Sequence, residues 1–183
     1  IILVGYGRMG KEVEAICVRR KHTIVSKVDP VCGEVKSLTK ELADQADAAI
    51  EFALPESAFD NLKLYTEFGL NAVTGTTGCH ERIDDFKNLV AKSNIAYLYG
   101  SNFSIGAHLF FRLVARAAQL INPFREYDIM GFEAHHKQKK DSPSGTALSI
   151  ANVILNNCDR KDTILTDMCN HTIRENELHF ASL

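Results

Sequence analysis

The 183 residues hold no twenty-residue apolar run and no signal-peptide pattern, so nothing within them indicates a membrane span or secretion. No C-x-x-C pair occurs among Cys17, Cys32, Cys79, Cys158 and Cys169, and their odd number argues against a closed disulfide framework. A reducing cytoplasm is therefore expected. Charge of one sign is not in excess either. The 21 Lys+Arg stand against 23 Asp+Glu, a formal net charge of -2, which offers no basic field for nucleic acid and leaves small anions as the expected partners. Repeats and low-complexity tracts are absent. With 45% hydrophobic and 24% charged positions, the balance is that of a globular chain of one or two domains. Asn102-Phe-Ser104 and Asn170-His-Thr172 match the glycosylation triplet, but so short a pattern is frequent by chance. Ile1 already belongs to an apolar run, so a start methionine and anything before it are expected to be missing.

That first run, Ile1 to Val4, ends at Gly5-Tyr-Gly-Arg-Met-Gly10, and Val13, Ile16 and Cys17 follow at helical spacing. Strand, glycine loop and helix in this order give G-x-G-x-x-G a mechanism. Gly5 permits the tight turn, Gly7 lets a pyrophosphate approach the main chain, and Gly10 lets helix and strand pack closely. Tyr6, Arg8 and Met9 fill the same loop. Thr23 to Val28 reads as the second strand. Asp29 ends it about twenty residues beyond the glycines, where an acid accepts from adenosine ribose hydroxyls. The competing reading makes Asp29 a turn opener before Pro30. An anion there repels a 2′-phosphate, so NADH is favoured over NADPH, with Lys27 and Arg8 as the cations that keep dual use open.

Strand and helix then alternate. Leu38 to Ala46 reads as a helix, Ala48 to Phe52 as a strand and Pro55 to Phe68 as a helix opened by its proline. Leu70 to Thr74, Glu81 to Lys92 and Asn94 to Tyr99 continue the series. Alternation predicts a doubly wound parallel sheet whose ligand lies beyond the carboxyl ends of the strands. Gly75, Thr76 and Thr77 stand at one such end, and Gly100, Ser101, Asn102 and Phe103 at another, so both loops are expected to contact the nicotinamide half of a dinucleotide. Ile105 to Ile121 is a long apolar helix stopped at Asn122-Pro123, with His108 expected to be packed rather than chemical.

Tyr127 to His136 reads as a strand, and Glu133 to Ala147 concentrates two imidazoles, three ammonium groups and a helix start. Asp141-Ser-Pro-Ser144 supplies a capping residue and a proline before the apolar positions Ala147, Leu148, Ile150, Ala151, Val153 and Ile154. The amides of Ser144, Gly145 and Thr146 are expected to point outward and to bind a carboxylate or phosphate. Neighbours on a strand face opposite sides, so His135 and His136 are expected to differ in role unless the strand has ended before them. The tail is polar until Glu177 to Leu183, which reads as a last strand.

Three features together resemble the 4-hydroxy-tetrahydrodipicolinate (dihydrodipicolinate) reductase family of lysine and diaminopimelate biosynthesis. They are the glycine loop at residues 5–10, Gly75-Thr-Thr-Gly78 with Asn102-Phe-Ser104, and the Glu133 to Ala147 segment with its His-His-x-x-Lys-x-Asp-x-Pro-Ser-Gly-Thr pattern. The resemblance implies a Rossmann-like doubly wound α/β domain over residues 1–104, followed by a smaller α+β substrate and oligomerisation domain over 105–183. It implies His135 and Lys139 as proton-transfer groups, with substrate held by His136, Gly145 and Thr146. Cofactor would be held by Gly5 to Gly10, Asp29, Gly75 to Thr77 and Gly100 to Phe103, with no metal. The implied reaction is hydride transfer from NADH or NADPH to C4 of a cyclic dicarboxylate. Family members continue for several dozen residues, so the second domain is expected to be truncated at Leu183, and the homotetramer to require those further residues. Competing readings are another NAD(P)-dependent dehydrogenase acting on a small anion, a non-catalytic NAD sensor, and a metal site at Glu133, His135 and His136 with a cysteine.

Overall fold

The computed structural model describes residues 1–79, 82–137, 142–166 and 169–182. Two compact units divide the chain, Ile1–Phe103 and Ser104–Leu183. The first contains β1 (Ile2–Val4), α1 (Arg8–Arg19), β2 (Ser26–Val28), α2 (Lys40–Ala43), β3 (Ala48–Glu51), α3 (Pro55–Phe68), β4 (Asn71–Thr74), α4 (Ile83–Ala91) and β5 (Tyr97–Tyr99). Its five strands are ordered β2-β1-β3-β4-β5, and every pairing is parallel. The alternation of the sequence is thus a doubly wound sheet.

Strand order reverses between β1 and β3, which is where such sheets open a crevice for ligand. Register makes that crevice orderly. Val28 pairs with Val4, Val4 with Glu51, Glu51 with Thr74 and Thr74 with Tyr99, so the carboxyl ends of all five strands lie in one row. The loops after them start level. Ile2, Leu3 and Val4 are buried because a parallel sheet is covered on both faces. Ala58, Leu62 and Tyr65 of α3 and Phe86 of α4 join Ile2, Val4, Ala49 and Ala72 in one core. Pro55 sets the first turn of α3, and Gly69, at φ 71°, ends the helix by donating to Tyr65 O.

The second unit contains α5 (Ile105–Ile121), β6 (Gly131–Glu133), α6 (Gly145–Leu155), β7 (Thr163–Leu165) and β8 (Glu177–Ser182). Its sheet is ordered β6-β8-β7, with both pairings parallel. Ala147, Ala151 and Ile154 of α6, Ala118 of α5, Cys158, Leu178 and Phe180 form its core. Lys161 is buried with its ammonium donating to Glu177 O at 2.8 Å and paired with Asp128 at 2.6 Å, which ties the segment between α6 and β7 to the start of β8 and to the segment before β6. Ile105, Leu109 and Leu113 of α5 are exposed, and so is His108, whose ring meets Phe111 edge-on at 6.0 Å instead of packing inside.

Several strands are shorter than the apolar pattern suggests. Residues 23–25, 94–96 and 127–130 stay outside β2, β5 and β6, because only three residues of each find a ladder partner. β7 lies within a tail that reads as polar and exists through its pairing with β8.

Candidate active site

In the first unit the three glycines of the loop play three different parts. Gly5 has φ 83°, and a Cβ there would stand 2.3 Å from Phe52 O. A Cβ on Gly10 would stand 2.3 Å from Gly5 O, so helix α1 and the turn before it approach as closely as glycine allows. Gly7 has nothing within 4 Å of that position. It is also the N-cap of α1 and provides no capping side chain, so the amides of the first turn await an acceptor from elsewhere. A cradle that is tight below and open above fits a pyrophosphate on a helix terminus. The chain therefore fits a dinucleotide here.

Asp29 reaches this loop directly. Its Oδ2 accepts from Tyr6 N at 2.8 Å, and its Oδ1 accepts from Val31 N and Cys32 N, each at 2.9 Å. The Cys32 amide most of all, then those of Val31 and Tyr6, outweigh burial and hold this carboxyl below its ordinary range. Asp29 is thus a turn former and a brace of the glycine loop at once. Lys27 is committed as well. Its ammonium pairs with Glu14 at 2.8 Å and Glu34 at 3.4 Å, and lies 5.1 Å from the centre of the Tyr6 ring, whose hydroxyl bonds Glu14.

Gly75 to Thr77 follow β4, and Gly100 to Phe103 follow β5. Gly75 N donates to Glu51 O at 2.8 Å, Ala53 N to Thr76 Oγ1 at 3.1 Å and Gly100 N to Thr74 O at 3.1 Å, which links the loops after β3, β4 and β5. The Phe52 ring occupies the space a side chain on Gly75 would need. Thr76 is buried, whereas Thr77 and Phe103 are exposed and Ser101 and Asn102 are half-buried. All the first unit's expected site residues thus lie at the carboxyl row of the sheet.

In the second unit the centre is Glu133, a residue to which the sequence pattern assigns no part in proton transfer or substrate binding. Its Oε1 accepts from Ser144 N at 2.6 Å and Ser182 Oγ at 2.8 Å; its Oε2 accepts from Ser144 Oγ at 2.5 Å and meets His135 Nε2 at 2.7 Å. Burial pushes this carboxyl up, but the Ser144 hydroxyl and amide, His135 and Ser182 together pull it down to about 2. One carboxylate therefore joins a histidine to the opening of α6.

This corrects the expectation of a free Ser144 amide: Glu133 holds it, and the Ser144 hydroxyl caps Ala147 N at 3.0 Å. Gly145 and Thr146 remain exposed, and nothing stands within 4 Å of a Cβ built on Gly145. Among the described residues their amides meet no acceptor. β6 ends at Glu133, so the opposite-face rule does not apply to His135 and His136, both of which lie past the strand. Lys139 lies outside the described residues. Among the described residues no group of three or more His, Cys, Asp or Glu is placed to hold a metal ion, and no helix is long and apolar enough to cross a membrane. The carboxylate of Glu133 leaves no local mark in the sequence; only its proximity to Ser144, eleven positions on, reveals it.

Two family models match end to end. Residues 1–103 fit the dihydrodipicolinate reductase N-terminus, and residues 106–182 fit the dihydrodipicolinate reductase C-terminus. The chain belongs to the dihydrodipicolinate reductase family. Among curated dihydrodipicolinate reductases, the 4-hydroxy-tetrahydrodipicolinate reductase of Christiangramia forsetii is 38% identical over 156 residues, 85% of this chain and 63% of that one. The enzyme of the same name from Methanococcus aeolicus is 37% identical over 115 residues, 62% of this chain and 41% of that one. The matches thus span less than two thirds of these relatives' length. A dipicolinate-bound dihydrodipicolinate reductase from Paenisporosarcina sp. TG-14 shares the fold, with a TM-score of 0.68 at 22% identity over 100% of this chain and 78% of that one.

Proposed function

We propose that the protein reduces 4-hydroxy-tetrahydrodipicolinate to tetrahydrodipicolinate with NADH or NADPH. Residues 1–104 serve as the nucleotide domain, and residues 105–183 as the substrate and oligomerisation domain of a cytoplasmic homotetramer. A bound nicotinamide supplies the hydride; the chain's residues bind, orient and move protons. Gly5 to Gly10 take the pyrophosphate, Asp29 the adenosine ribose, and Gly75 to Thr77 with Gly100 to Phe103 the nicotinamide half.

The exposed amides of Gly145 and Thr146, with His136, receive a carboxylate of the substrate, and the dipicolinate of the Paenisporosarcina relative belongs to the same dicarboxylate class. His135 and Lys139 transfer protons. Since Glu133 engages His135 Nε2, the exchange with substrate falls to Nδ1, which is basic in the neutral ring and acidic in the charged one. Carbon that accepts a hydride leaves negative charge on its conjugated partner, which such a group quenches.

NADH is preferred. The Lys27 ammonium is already matched by two carboxylates and Asp29 adds a further anion, so of the two cations Lys27 and Arg8 it falls to Arg8 to meet a 2′-phosphate. The observation that carries the proposal is the Glu133 carboxylate joining His135 to the opening of α6 beside two unspent amides. Absorbance at the nicotinamide band tests it: NADH is consumed when the condensation product of pyruvate and aspartate semialdehyde is supplied by the upstream synthase, and is stable without it. A flat trace in both conditions contradicts the proposal.

A further inference from the structure

Glu51, the last residue of β3, is fully buried. Its Oε1 accepts from Asn61 Nδ2 at 2.9 Å; its Oε2 accepts from Thr74 Oγ1 at 2.9 Å and Tyr65 Oη at 3.1 Å. All three partners are neutral. Among the described residues no ammonium, guanidinium or imidazole pairs with it. Burial pushes this carboxyl above its ordinary range, against the pull of hydrogen bonds from Asn61, Thr74 and Tyr65; with all three set to donate, the arrangement suits an ionised carboxylate, which uses only lone pairs. Such a charge is costly, and a well-packed apolar residue would serve stability at least as well.

Its position gives it another use. Glu51 O accepts from Gly75 N, the Glu51 side chain grips Thr74, and the next residue, Phe52, packs its ring against Gly75. The carboxylate is thus built into the base of the loop after β4. Hydride departure removes an electron pair from a neutral dihydronicotinamide ring and leaves a ring of charge +1, while the acceptor carbon gains the hydride and its partner atom gains a proton. A fixed anion in a site of low dielectric favours the cationic ring.

We infer that Glu51 is an electrostatic positioning residue: it holds the loop Gly75 to Thr77 through Thr74, and its uncompensated charge favours oxidised over reduced nicotinamide. This rests on the proposal that the loop receives the nicotinamide. The test is the ratio of dissociation constants Kd(NAD+)/Kd(NADH) of the 183-residue chain, from NADH fluorescence and NAD+ calorimetry. Glu51→Gln should raise that ratio roughly fivefold or more, since at an effective dielectric of about 20 one unit charge gives that factor even from about 17 Å. Glu51→Asp should leave the ratio near its starting value even where both affinities fall. If Glu51→Gln does not fold, Asn61→Leu, which strips one donor and drives the carboxyl toward its neutral form, should shift the ratio the same way by a smaller factor. Equal weakening of both nucleotides in the folded variants makes Glu51 merely structural and overturns the inference. Failure of the unsubstituted chain to bind either nucleotide overturns the functional proposal and the inference with it.

Discussion

Glu133 Oε2 lies 2.7 Å from His135 Nε2, and the same carboxylate closes onto the first residue of the α6 opening. The histidine is therefore not an isolated base on a loop. Its ring orientation depends on a carboxylate whose other bonds are to a helix cap and to β8. Glu133→Gln should keep the side-chain volume but lose two charge-assisted bonds. We expect kcat to fall at least about tenfold, while NADH affinity, proposed to reside in the first unit, changes little. Steady-state kinetics beside NADH titration reads both.

The same carboxylate makes stability depend on pH. Its ordinary value is 4.5, and in the folded chain it lies at about 2. The unfolded chain therefore binds the proton first as pH falls. The contribution of Glu133 is complete above about pH 4.5 and is lost between there and about pH 2. Thermal melts from pH 6 to pH 2.5 should show a steeper loss of Tm in the starting protein than in Glu133→Gln. Parallel curves would exclude this linkage.

Two alanine substitutions separate folding from binding in the glycine loop. Gly10→Ala places a methyl 2.3 Å from Gly5 O and should cost about 1–3 kcal/mol, with a visible drop in Tm. Gly7→Ala meets nothing and should alter stability by no more than about 1 kcal/mol, yet put a methyl where the pyrophosphate approaches and weaken NADH at least about tenfold. Differential scanning and fluorescence titration give the two readings.

The proposed nucleotide preference depends on Lys27. The Glu14 carboxylate holds its ammonium above the usual lysine range, and Glu34 adds to the same effect. Glu34→Gln removes the more exposed partner and takes one negative charge from the surroundings of Lys27, which Glu14 still balances. We expect the NADPH to NADH preference to rise roughly three- to tenfold, with screening by salt reducing the gain. An unaltered preference would place the 2′-hydroxyl away from Lys27.

Much of this fold is legible in the sequence, and its failures share a cause. The bounds of α3 and α5 coincide with the reading because local chemistry marks them: Pro55 and Gly69 for one, the Ser104 cap and Asn122-Pro123 for the other. Strands of three residues have no such marks, so the apolar pattern extends β2, β5 and β6 into their flanking loops and gives no sign of β7. The glycine loop is readable because each glycine answers a local steric demand. The roles of Glu51 and Glu133 are not, since a carboxylate on a strand gains its meaning from partners brought by tertiary structure, Thr74 and Ser144.

The central claim is that the first unit binds the nucleotide and His135 in the second moves the proton. Its most direct test follows NADH absorbance in the presence of the upstream synthase and its substrates, for the unsubstituted protein and for His135→Ala, with NADH affinity measured on both. We predict NADH consumption in the first, a rate at least about 100-fold lower in the second, and equal NADH affinity. Equal rates in the two proteins, or consumption that does not need the synthase, would contradict it.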